Sequence, residues 1–107
     1  MAFDIGATIK DMGNAAAAVL GGEAPKIRGC LDKAFEDEKE ALKAIADARI
    51  AGEITAAEMK EQIADEREAL KAALLVCKVK GKVAAQKAAN AALKVLEKAV
   101  RAALKVV

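Results

Sequence analysis

Residues 52–59, Gly-Glu-Ile-Thr-Ala-Ala-Glu-Met, constrain the fold more tightly than any other stretch, because they stop one helix and start another. Gly52 supplies the left-handed residue that commonly terminates a helix. Thr55 reads as an N-cap, and Glu58 three residues later can return a hydrogen bond to its backbone N–H, which completes a capping box. Ile54 and Met59 flank that cap at the spacing of a hydrophobic staple. The sequence therefore predicts two helices that double back on each other near residue 53.

The rest of the chain agrees with an all-α antiparallel helical bundle in one domain. Alanine occupies 28 of 107 positions and Pro25 is the only proline. Ala, Leu, Glu and Lys in that proportion favour helix, and strand-type alternation is absent. Three long helices and a shorter N-terminal one are expected, at about 4–20, 25–51, 56–80 and 82–106. A domain of this length buries roughly 65% of its unfolded surface.

Apolar periodicity assigns the inward faces. In the first segment it runs through Ile5, Ile9, Met12, Ala16 and Val19 or Leu20, with Asp4 as cap and Gly21-Gly22 as terminator. The second opens at Pro25 and carries Ile27, Leu31, Ala34, Phe35, Ala41, Leu42, Ile45, Ala48 and Arg49. Ala34, Ala41 and Ala48 recur every seven positions, spacing that would allow a close helix–helix approach. The third turns Met59, Ile63, Leu70, Ala73, Leu74 and Cys77 inward.

Gly81 leaves one architectural choice open. No capping residue precedes Val83, and an apolar line runs in phase through Leu70, Ala73, Cys77, Gly81, Ala84, Ala88, Ala92, Val95, Ala99, Ala102 and Val106. A break at Gly81 gives a compact bundle, the preferred reading. Continuity fuses segments three and four into a helix of about 51 residues, near 75 Å long, whose far half another chain would have to cover.

The hinge also fixes register, since facing positions have numbers that add to about 107. Cys30 and Cys77, the only cysteines, then fall at one level on facing helices. They are either a disulfide closing a loop of about 48 residues or two small buried thiols. The second is the ordinary state in a cytoplasmic protein and is the preferred reading. Glu38 and Glu66 share a level too, as a buried carboxylate pair or, preferably, as side chains reaching solvent. Glu36, Asp37, Glu40, Asp65 and Glu68 read as a solvated face. Gln86 and Asn90 interrupt an apolar segment and are expected to be exposed.

Absences narrow the function. The chain has no His, Ser, Tyr or Trp, so Ser-His-Asp and Cys-His catalysis and Glu-x-x-His di-iron sites are excluded. No catalytic, cofactor-binding or metal-binding residues are assigned, and an enzyme is not expected. The longest uncharged run, Met12 to Gly22, falls short of the ~20 apolar residues that a membrane span requires. The expected location is cytoplasmic. An interior cavity for an apolar ligand is not expected either, because an alanine core packs closely.

Charge is partitioned along the chain. Residues 32–68 carry −6 and residues 78–107 carry +7, with Glu97 the only acid in the latter. Lys78, Lys80, Lys82, Lys87, Lys94, Lys98, Arg101 and Lys105 are therefore candidate contacts for an anionic partner, a membrane surface or nucleic acid. The preferred alternative lays this segment against the acidic hairpin, in the same chain or a second copy, so that opposite signs order the helices. Because the apolar stripes look too many for one chain to cover, the leading expectation is a non-enzymatic bundle that acts by homo-oligomerisation or protein–protein interaction.

Overall fold

The computed structural model describes residues 3–106. Those residues form an all-α bundle of five α-helices in four antiparallel legs: α1 (Ile5–Leu20), α2 (Ala24–Asp37) with α3 (Lys39–Ile50), α4 (Ala56–Val76) and α5 (Lys82–Val106). One turn of 3-10 helix, Gly21–Glu23, joins α1 to α2.

The hinge at residues 51–55 forms by the chemistry its sequence dictates. Gly52 has φ +78°, Glu53 donates its N–H to Ala48 O at 2.8 Å and Gly52 donates to Arg49 O at 3.2 Å. That pair of bonds is a Schellman motif, which satisfies the last carbonyls of α3. Glu58 N–H donates to Thr55 Oγ1 at 3.1 Å and Thr55 N–H to Glu58 Oε1 at 2.9 Å. Ile54 and Met59 both join the hydrophobic core.

A second Schellman motif ends α4. Val79 N–H reaches Leu74 O at 3.2 Å and Lys78 N–H reaches Leu75 O at 3.0 Å. Here the left-handed position is Lys78, φ +67°, followed by Gly81 at φ +88°. The expected helix over 56–80 thus stops at Val76, and the fused helix of segments three and four does not form. The molecule measures 40 × 24 × 19 Å, half the length of the rod that fusion would make. The apolar line through Gly81 fails because it selected small residues. In α5 the buried line is Ala85, Ala88, Ala89, Ala92, Leu93, Leu96 and Val100. Ala84, Val95 and Ala99 are half-buried and Ala102 is exposed, since burying the larger Leu93, Leu96 and Val100 removes more apolar area from water. The side chain of Val106 lies outside the described residues.

The helix expected over 25–51 is broken at Glu38. The break is one tightened turn: Glu38 N–H donates to Phe35 O at 3.2 Å before the ladder resumes with Leu42 N–H to Glu38 O at 3.0 Å. Neither proline nor glycine stands there. The segment there reads Glu36-Asp37-Glu38-Lys39-Glu40, with Lys39 Nζ 3.6 Å from Glu36 Oε1. Ala41 is exposed and Ala48 half-buried, so the alanine heptad is not the contact line. Leu42, Ile45 and Ala46 are buried instead.

α1 buries Ile9, Met12, Ala16 and Leu20, and Val19 faces solvent. Asp4 Oδ1 accepts from Ala7 N–H at 3.1 Å as its cap. Gly13 is buried where the Asp32 and Arg28 side chains of α2 reach α1: a Cβ there would stand 3.2 Å from Asp32 Oδ1. Among the described residues the large exposed apolar side chains are only Val19, Val76 and Val83. Among the described residues most of the apolar side chains of α1 and α5 are covered within the chain.

Candidate functional site

α5 packs against α1, α3 and α4, so only one side of it is left to water. At 100° per residue, Lys87, Lys94, Lys98, Arg101 and Lys105 fall within an arc of about 60°, directly opposite the buried line. All five are exposed. They extend over about 27 Å of helix at 1.5 Å per residue. Among the described residues none of the five lies within ion-pair distance of a carboxylate. The ion pairing expected between this segment and the acidic hairpin does not occur there, because apolar burial fixes the rotation of α5 and points its cations outward.

The other three candidate cations, all exposed, stand at the opposite end. Lys78 and Lys80 belong to the α4–α5 turn and Lys82 begins α5. Lys80 Nζ lies 3.5 Å from Glu23 Oε1, which ties the start of α5 to the end of α1. The structure therefore divides the eight into a five-membered line and a separate cluster at the turn.

Sequence reasoning missed the contribution of α4. Lys60, Arg67 and Lys71 share a face of that helix at spacings of seven and four, a signal present in the sequence but hidden among the acids of residues 58–68. Lys71 Nζ donates to Gln86 Oε1 of α5 at 3.3 Å. Arg67 lines a surface groove with Asn90, Leu93, Lys94 and Glu97. A second groove continues from Glu97 toward the end of α5, bounded by Arg49, Ala56, Met59, Lys60, Ile63, Val100, Arg101 and Leu104. Asn90 is half-buried at this edge, and Gln86 is exposed as expected. Four of the five acids of α4, Glu58, Glu61, Asp65 and Glu68, are exposed on other faces of the helix, and Glu66 is half-buried. The α4–α5 side of the bundle is consequently basic, with Glu97 the one carboxylate in either groove.

Register places both sequence-matched pairs together. Cys30 and Cys77 are joined by a disulfide, with Cα atoms 5.7 Å apart. The preferred reading of two free buried thiols is thus corrected, and Cys30 is exposed where Cys77 is buried. The level at which the hinge sets the two helices brings the sulfurs within bonding distance. Glu38 and Glu66 also meet, both half-buried, so the expectation that they reach solvent holds only in part. Burial, a hydrogen bond with Glu38 and repulsion from Glu38 and Asp65 push the Glu66 carboxyl up to about 7. Its Oε2 is buried and no donor reaches it, an environment that favours the neutral carboxyl over the carboxylate. Arg67 Nε is likewise buried without an acceptor.

Among the described residues there is no cluster of three or more metal-ligating side chains, and no helix is long and apolar enough to cross a membrane. Comparison with protein-family models, curated proteins and solved structures finds no match to this chain.

Proposed function

We propose that this bundle is a non-enzymatic binding protein that docks on anionic lipid surfaces through α5 and the adjoining face of α4. The observation that carries the reading is the line of Lys87, Lys94, Lys98, Arg101 and Lys105, exposed and without intramolecular carboxylate partners among the described residues. Five cations aligned without neutralisation create a potential that attracts polyanions. Lysine point charges suit a fluid array of headgroups, each contributing about 1 kcal/mol near an anionic membrane. Nucleic acid is less favoured, since the line offers one arginine, no base-stacking aromatic and few groups that read base edges. The apolar face of α5 is committed to the core, so docking is peripheral and without insertion. A chain carrying the Cys30–Cys77 disulfide fits an oxidising compartment better than the cytoplasm.

Cosedimentation with phosphatidylcholine vesicles containing or lacking phosphatidylserine, at 50–500 mM salt, tests the proposal. Binding should require the anionic lipid and weaken as salt rises. Lys94→Gln with Lys98→Gln should weaken it by about 30-fold, from roughly 2 kcal/mol lost. Equal binding to neutral vesicles, or tighter binding to duplex DNA than to anionic lipid, would overturn it.

One observation favours a second reading, association between copies. Glu36, Asp37 and Glu40 are exposed on α2 and α3, so one molecule presents faces of both signs. Light scattering would then show oligomers at low salt that dissociate as salt rises.

A further inference from the structure

The α4–α5 groove near the end of the bundle combines two properties that neither the charged line nor the core explains. Its floor is apolar: Met59, Ile63 and Val100 are buried beneath it and Leu104 is half-buried at its side. Its rim is cationic, with Arg49, Lys60 and Arg101 from three different helices around an opening of about 230 Å³. None of these three has a carboxylate within ion-pair distance among the described residues, and Glu97 is the one acid on the rim. Uncompensated cations above an apolar floor are the complement of a molecule with an anionic head and a short hydrocarbon tail.

We propose that this groove binds a single-chain anionic amphiphile, a medium-chain carboxylate, with its tail over Ile63 and Val100 and its head between Arg49, Lys60 and Arg101. The inference rests partly on the reading of α5 as a lipid-facing helix, because Arg101 belongs to both surfaces. The groove is open to solvent rather than enclosed, which limits the tail to a length that lies along the floor. The groove lies at the surface and is not an interior cavity.

Octanoate, 1-octanol and acetate, each titrated into the full chain below any micelle-forming concentration and followed by amide NMR shifts, provide the test. Octanoate should saturate one site, with shifts centred on residues 56–63 and 97–104. Octanol should bind at least tenfold more weakly, and acetate should not saturate. Ala56→Trp, at an exposed position on the groove wall, should reduce octanoate affinity at least tenfold while leaving thermal unfolding unchanged. Arg49→Gln with Lys60→Gln should reduce octanoate affinity and not octanol affinity. No saturable octanoate site, or equal affinity for octanoate and octanol, overturns the inference whatever the vesicles show. Octanoate binding without vesicle binding leaves the groove standing and removes the proposed function.

Discussion

Replacing Glu66 by Gln should stabilise the protein at pH 8 and leave it nearly unchanged at pH 4.5. The Glu66 carboxyl is raised from the ordinary 4.5 to about 7, chiefly by burial and then by Glu38. A displacement of that size corresponds to roughly 3.4 kcal/mol at about 1.4 kcal/mol per pKa unit. Glu66 is only partly buried, so solvent screening reduces the expectation to about 1 kcal/mol. The sign follows from proton counting. Between pH 4.5 and about 7 the folded state holds a proton that the unfolded state has released, so stability falls as pH rises through that window. Below it both states are protonated and the penalty vanishes. Gln keeps the volume, cannot ionise, and can donate its amide N–H to Glu38. Urea unfolding of both proteins at half-unit steps from pH 4.5 to 8.5, disulfide intact, should give a stability difference that opens toward neutral pH and then plateaus. A difference that is flat with pH, or a variant less stable than its parent at pH 8, would refute the argument.

Opening the Cys30–Cys77 bridge in a Cys30→Ala, Cys77→Ala protein should destabilise by about 4 kcal/mol, the chain-entropy value for a loop of some 48 residues. Calorimetry should show Tm lower by roughly 15 °C, and a change under 3 °C would mean that the bridge contributes little. Lys78→Gly relieves a lysine at φ +67° and should stabilise by about 0.5–1 kcal/mol; a lower Tm would refute it. Thr55→Ala removes the acceptor for Glu58 N–H and should cost about 1 kcal/mol in denaturant unfolding, with no loss of vesicle binding.

How much was legible beforehand depended on the range of the interactions. The Thr55–Glu58 capping box, the Gly52 terminator and the Asp4 cap are set by residues three or four positions apart, so the sequence states them outright. Once the hinge is placed, helix rise alone brings residue 30 level with 77 and residue 38 level with 66. Whether the sulfurs bond and the carboxyls meet is a finer matter, and side-chain direction settles it. The end of α4 was harder to see because its left-handed residue is Lys78, where chemistry points to the nearby Gly81. The break at Glu38 was not legible because no residue with a distinctive backbone preference stands there.

The basic face shows the same division. Composition announces that residues 78–107 are cationic, but it does not say whether those charges meet the acidic hairpin or face water. Burial of Leu93, Leu96 and Val100 fixes the rotation of α5, and that rotation sends Lys87, Lys94, Lys98, Arg101 and Lys105 outward. It also sets Arg101 beside Lys60 and Arg49, residues that come together only through packing. Local hydrogen bonds are encoded within one helical turn, so the chain alone determined the cap of α1, the end of α3 and the reversal into α4. Which faces meet is a contest over buried area summed across all five helices, and only the folded molecule decides it.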